Sequence, residues 1–234
     1  NVKYNLEKDL NLNIPVDVMT NAGIFVLDDL GIDKKNPFLY VIQGGAGSSF
    51  NDFLEWKAFI GYLDFAHIAD TMSMSLVPTS ASMNMNGNYR HDYDVLEVSG
   101  EVTSHFLEQQ DLGTFSKPLT FFVDYVNNLA ISDKDNGWEI GAKLGKKKFK
   151  KFGDWRAVYN FRRLERDSFP DDFPDADAFR GRTDGFGHEA IFSYGLAKNI
   201  WLEFDYYVFR DKTRGMDPND KWGQIIQLDL NTKF

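Results

Sequence analysis

The segment Lys221 to Phe234, KWGQIIQLDLNTKF, places Trp222, Gln224, Ile226, Leu228, Leu230, Thr232 and Phe234 on one parity. Lys221, Gly223, Ile225, Gln227, Asp229, Asn231 and Lys233 fall on the other. Successive side chains of a β-strand point to opposite faces, so the alternation describes a strand with one apolar and one polar face. The apolar face must either pack on a second sheet, as in a soluble sandwich, or meet lipid, as in a membrane barrel.

The same parity recurs upstream. Ile200, Leu202, Phe204, Tyr206 and Val208 alternate with Glu203, Asp205 and Tyr207 in a strand expected over 199–210. Trp138, Ile140, Ala142 and Leu144 oppose Glu139 and Lys143 over 137–145. Over 95–106, Leu96, Val98, Gly100 and Val102 oppose Glu97, Ser99, Glu101 and Thr103. Over 153–165, Trp155, Ala157, Tyr159 and Phe161 oppose Arg156, Asn160 and Arg162. Further strands are expected over 187–196, 119–128, 54–65, 38–44, 23–30 and 10–18, with a partial one near 2–6. Charge therefore sits in mid-strand, on the polar face.

Several classes are excluded by composition. No run of about 18 apolar residues exists to span a bilayer as a helix, and mean hydropathy is −0.40. Apolar residues make up 43 % and aromatics 15 %, which a disordered chain does not reach. There is no cysteine, so no disulfide framework and no thiolate metal site. A formal net charge of −9 argues against nucleic acid, which needs a basic face. The chain begins at Asn1 without a signal-peptide pattern, so the expectation is a removed leader or missing upstream sequence. One domain over 1–234 is expected.

Connections sort by length. Short turns are expected after Leu196, near Lys148 to Phe152 and around Thr20 to Ala22, all on one rim. Longer connections, 28–36, 66–94, 130–136, 167–186 and 211–220, fall on the other rim, with 107–117 as the exception. A sandwich has no reason to segregate loop length by rim, whereas outer-membrane barrels do. Outward charges at His188, Arg163 and Arg210 all lie at the long-loop end of their strands. There a charge costs about 0 to 1 kcal/mol, against about 2 to 4 at the bilayer midplane. Aromatics mark both band edges: Trp56, Phe106, Trp155 and Phe234 at the short-turn end, Trp138 and Trp222 at the other. Trp201 breaks the parity and has no place in this scheme.

The stretch RRLERDSFPDDFPDADAFRGRTDGFGH, Arg162 to His188, resembles the putative-porin family of Gram-negative outer membranes. The resemblance is carried by Tyr159, Phe161, Arg162, Glu165, Asp175, Asp177, Phe179, Gly181, Thr183 and Asp184, followed by Gly187. YGLAKNIWLEFDYY, Tyr194 to Tyr207, is similar to the hairpin that follows in the family, and AGIFVLDDLG, Ala22 to Gly31, to a segment further upstream. Phe234, with apolar residues at alternate positions before it, is similar to the signal read by the outer-membrane assembly machinery. Family members usually carry more strands upstream.

The expected fold is thus an all-β, antiparallel transmembrane β-barrel of about eleven or twelve visible strands, either complete or part of a larger barrel of about 16. Its expected lining is Glu97, Glu101, Glu139, Lys143, Arg156, Asn160, Arg162, Glu189, Glu203, Asp205, Gln227 and Asp229. The acidic excess of such a wall favours cations if water fills the barrel; in a narrow barrel the same charges pair and plug it. Asp171, Asp172, Asp175 and Asp177, with Asp184 nearby, are candidate Ca²⁺ ligands, or else a solvated acidic loop paired with Arg180 and Arg182. The run KKKFKK, Lys146 to Lys151, is read as a periplasmic turn near lipid phosphates, since a lone Phe149 is too little for base stacking.

Catalytic patterns are thin. His67, His91, His105 and His188 lack metal-site spacing, and GGAGSSF, Gly44 to Phe50, lacks the rest of a phosphate loop and is expected to be a turn. No cofactor and no chemical step are expected. Expected partners are the bilayer and lipopolysaccharide, the assembly machinery and small polar solutes, with a homotrimer as one assembly. The leading expectation is an outer-membrane diffusion channel. A closed structural or adhesion barrel and, more weakly, a carbohydrate-binding sandwich are the alternatives.

Overall fold

The computed structural model describes residues 2–5, 8–9, 16–29, 35–69, 88–171, 173–174, 177, 182–211 and 222–233. Eleven strands form one sheet: β1 (Val2–Asn5), β2 (Asp17–Val26), β3 (Phe38–Asn51), β4 (Leu54–Ala66), β5 (Tyr93–Ser104), β6 (Leu119–Asn128), β7 (Asn136–Gly145), β8 (Trp155–Leu164), β9 (Gly185–Ala197), β10 (Ile200–Asp211) and β11 (Gly223–Thr232). Each strand pairs antiparallel with its sequence neighbours, and β1 and β11 form the two edges. The fold is an all-β meander of barrel type. From β2 to β11 the strands have 10 to 14 residues, enough to cross the hydrocarbon core when tilted. No described helix is long and apolar enough to cross a membrane.

The sheet is inside-out by the standards of a soluble protein. Ile226, Leu228 and Leu230 on β11 are 66, 71 and 64 % exposed, and Leu202, Phe204, Phe121, Val123, Ile140, Ile60, Ile42 and Ile24 are exposed on neighbouring strands. The opposite face buries Asn160, Glu189, Ser193 and Asp205. That inner face is concave: a cavity of about 730 Å³ is lined by residues of every strand from β1 to β7, including Asp17, Gly47, Lys57, Glu101, Phe122 and Lys143.

Two upstream expectations are corrected. The strands expected over 10–18 and 23–30 do not exist as a pair; one strand, β2, runs through the turn expected at Thr20 to Ala22, while residues 10–15 and 30 lie outside the described residues. Asn21, Ala22 and Gly23 look like turn residues locally, but each is in register with Gln43, Ile42 and Val41 of β3. The ladder overrides the local preference.

GGAGSSF is likewise not a turn, because β3 continues through it to Asn51. Gly45 lies opposite Phe59, whose ring would sit 2.1 Å from a Cβ placed there. The ring fills the space that a side chain would take, which lets glycine sit in mid-strand. The same device recurs where the Phe122 ring lies over Gly141 and the Phe209 ring over Gly223.

The loops alternate between the rims. The tight turn on the short rim is Asp52–Phe53, not Thr20 to Ala22, and a second is Lys198–Asn199, where Asn199 adopts φ 60°. Asparagine tolerates that left-handed conformation. The β5–β6 connection stays long on this rim, built of two short 3₁₀ turns, Phe106–Gln109 and Gly113–Phe115, and the β1–β2 connection, 6–16, is a second long one. Phe106 therefore lies just past its strand.

Candidate pore wall

Register sets the chemistry of the inner face. Reading across β5 to β11, Glu101, Phe122, Gly141, Asn160, Glu189 and Tyr207 form one row. Thr103, Thr120, Lys143, Val158, Ile191, Asp205 and Gln227 form the next. Below it, Arg156, Ser193, Glu203 and Asp229 lie side by side. Glu97 and Glu139 share the face, as does Arg162. All twelve residues expected on the polar wall thus lie on this one face.

Their partners divide them. Lys57 Nζ meets Glu101 Oε1 at 2.8 Å, with Lys147 Nζ at 3.8 Å from the same oxygen. Arg162 donates from Nε to Glu139 at 2.9 Å and approaches Glu189 at 3.9 Å, while Asn160 Nδ2 also donates to Glu189. Glu203 Oε2 accepts from Ser193 Oγ at 2.6 Å, Arg156 at 3.4 Å and Trp201 Nε1 at 3.4 Å. Lys143 lies over the Phe122 ring at 4.3 Å. Asp205 differs: its Oδ1 is buried and, among the described residues, has no hydrogen-bond partner. Lys57 and Asp124 belong to the wall as well and were legible from parity, since Lys57 faces Glu101 across β4 and β5 and Asp124 faces Glu139 across β6 and β7.

Both ends of the wall are covered. At the long-loop end the β8–β9 loop turns back over the inner face. Phe169 and Phe173 pack edge-on against Phe65 of β4, with ring centroids at 5.4 and 5.0 Å, beside buried Tyr89, Tyr93, Val95 and Ile68. Buried polar groups there are paired: Tyr93 Oη donates to Asp167 at 3.3 Å and Tyr89 Oη to the Asp171 carbonyl at 2.8 Å. Asp171 Oδ1 accepts from Thr183 N at 2.8 Å and Thr183 Oγ1 at 3.0 Å. A cavity of about 310 Å³ remains between Phe169, Phe173 and Pro174 and the wall at Glu97, Asp124 and Arg162.

At the short-turn end the lysine-rich turn points Phe149 inward. Phe149 is 4 % exposed and stacks on Trp201 at 5.1 Å, and that stack is why Trp201 departs from the outward aromatic pattern. Asp154 holds the turn by accepting from the Lys150 and Lys151 amides at 2.8 and 3.1 Å and pairing with Lys146 at 3.1 Å. Burial pushes its carboxyl up, but these amides and the Lys146 ammonium outweigh it and leave the group below the usual carboxylate range. Nearby, His105 bridges Glu108 at 2.6 Å and Glu55 at 3.2 Å. The Glu108 bond, aided by Glu55, holds the imidazole above its ordinary value against the pull of partial burial.

The outer face carries an ordered band at the long-loop end. Trp138, Arg163, Phe186 and Arg210 are consecutive partners across β7 to β10. Phe186 meets Trp222 at 5.5 Å, and His188 accepts or donates at 2.7 Å with Tyr159 Oη. At the other rim, Trp155 packs edge-on against Phe115 and donates from Nε1 to the Thr114 carbonyl at 3.1 Å. Phe234, the expected assembly signal, lies outside the described residues.

Of the acidic-loop residues, Asp172 and Asp175 also lie outside the described residues. Asp171 is occupied by Thr183, Asp184 lies 3.7 Å from Arg166, and among the described residues no three carboxylates or imidazoles converge on a metal position.

A family described as Putative porin matches residues 91–234, more than half of the chain. The chain belongs to the Putative porin family. In this porin-family chain the matched segment contains β5 to β11 and all twelve residues expected on the polar wall, whereas Lys57 and Phe65 lie upstream of it. None of the curated proteins matches the chain. Porin membership and an all-β fold fit a channel rather than an enzyme.

Proposed function

We propose that this chain forms a passive diffusion channel for small polar solutes or ions in a bacterial outer membrane, with a mild cation preference. The observation that carries the reading is the inverted sheet: exposed Leu228 and Phe204 on one face, buried Asp205, Glu189 and Asn160 on the other. Lipid is the solvent that suits the first face, and a hydrated path suits the second. Lining acids outnumber lining bases, so the field at the wall attracts cations.

Lipid partners follow from the outer band, where Arg163 and Arg210 flank Phe186 at headgroup height. Lipopolysaccharide phosphates suit those guanidinium groups. Assembly through Phe234, a homotrimeric state and a Ca²⁺ ion in the 165–184 loop belong to the same reading.

Planar-bilayer recording of the purified full chain is the test. Stepwise conductance with a reversal potential displaced toward the cation potential is expected, and an ion-impermeable reconstituted protein would sink the channel reading. The displacement should shrink in the Glu203→Gln, Asp205→Asn double variant; an unchanged reversal potential would place both groups off the path. The covered ends favour one second reading, a closed barrel with a structural or adhesive role, which the impermeable outcome would support.

A further inference from the structure

Among the described wall acids, Asp205 is the one with a buried carboxylate oxygen that lacks a hydrogen-bond partner. Glu101, Glu139, Glu189 and Glu203 each accept from a lysine, arginine or asparagine, but Asp205 Oδ1 has no partner among the described residues although the residue is only 7 % exposed. Leaving a buried carboxylate oxygen without a donor is costly, so such an oxygen points to a ligand that supplies one. Glu203, Glu189, Asp229 and Asp177 are acids near it, and Arg156 and Arg162 pair with Glu203 and Glu189. On the same face of β10, Tyr207 follows it, and Gln227 lies directly across on β11.

We infer that Asp205 anchors a subsite on the β9–β11 wall for a small organic cation bearing N–H donors, a guanidinium or primary ammonium group. The inference rests on the reading of this face as a solute path and names the solute class that the path holds. A bare metal ion fits poorly, because no three carboxylates or imidazoles converge among the described residues. A cation carrying its own donors needs no such convergence: one N–H satisfies Asp205 Oδ1, and the surrounding acids hold the charge. The wall already uses this chemistry internally, since Arg156 satisfies Glu203 and Arg162 satisfies Glu139 with guanidinium donors. A planar guanidinium also suits the tyrosine face beside it.

The test compares guanidinium with tetramethylammonium, which has the same charge and no N–H. The full chain is studied in detergent by calorimetry and in planar bilayers by current block. Guanidinium should bind about tenfold more tightly than tetramethylammonium, the order expected for one charge-assisted hydrogen bond. Asp205→Asn should bring the ratio close to one, and Asp205→Ser, a second variant in case the first fails to fold, should do the same. Asp124→Asn, which removes equal charge from the same inner face away from the subsite, should keep the preference. A conducting protein whose ratio is unaltered by either Asp205 variant overturns the subsite and leaves the channel standing. Asp205-dependent guanidinium binding by a protein that conducts nothing retains the subsite and overturns the channel. Equal binding of the two cations by the wild type overturns the subsite under either outcome.

Discussion

The long-loop end of the inner face is covered by apolar packing, whereas the short-turn end is covered by a single stacked ring and a set of charges. At the first, Phe169 and Phe173 dock on Phe65, Tyr93 and Thr183 donate to the buried Asp167 and Asp171 carboxylates, and Tyr89 donates to the Asp171 carbonyl. At the second, Phe149 leans on Trp201, and Asp154 ties down a turn rich in lysine. Aromatic burial is insensitive to salt and pH, and carboxylate pairing is not. The two ends should therefore open under different conditions.

The sharpest way to break the comparison is Phe65→Ala, because Phe65 is fully buried and two loop rings rest on it. A loss of about 3 to 5 kcal/mol is expected, with faster proteolysis of the 165–184 loop. If unfolding midpoints and loop cleavage match the wild type, the loop is not held by this cluster. Asp171→Ala comes next, since in a buried site it strips the acceptor from Thr183 N and leaves Thr183 Oγ1 with the Arg166 carbonyl alone of its two acceptors. About 1 to 3 kcal/mol should be lost, read from denaturant midpoints, and the value should not change with salt.

Smaller effects are expected at the short-turn end, and they carry a sign. The Asp154 carboxyl lies below its unfolded value, so its stabilisation is present above the ordinary carboxylate range and fades as pH falls through the depressed folded value. Amide protection in the Lys146–Asp154 turn, taken relative to the intrinsic exchange rate at each pH, should fall in acid, and Asp154→Asn should show that lower protection already at neutral pH. His105 runs the other way. Its folded value is raised, so the contribution of the Glu108–His105–Glu55 bridge is complete below the unfolded histidine value and disappears as pH rises through the folded one. The smallest expected effect is thus a mild alkaline loosening of the 105–118 connection that His105→Gln abolishes; an unaltered pH profile in that variant would remove His105 from the account.

Much of the wall was legible because strand parity is local. Leu202, Glu203, Phe204 and Asp205 reveal their faces from their own alternation, whatever the rest of the chain does. The same rule brought Lys57 within reach, although only its contact with Glu101 draws it into the charge network. What stayed hidden depends on residues far away in sequence. Gly45 looks like turn material until Phe59 is seen lying across it, and Trp201 looks misplaced until Phe149 is found on its ring. The inward course of the β8–β9 loop depends on Phe65, and nothing in the loop's own acidic sequence announces that dock.

The phenylalanine-over-glycine pairs have a consequence for how the sheet finds its register. A strand that slips by one residue turns its apolar face inward, and lipid rejects it. A strand that slips by two keeps every face correct, so alternation alone cannot detect the error. Phe59 against Gly45, Phe122 against Gly141 and Phe209 against Gly223 can detect it, because a slip moves Phe122 and Phe209 onto residues with side chains in either direction, and Phe59 onto Gln43 in one of the two. These rings act as alignment pins, spaced across the sheet, that tell the assembling strands which of several equally greasy registers is the native one.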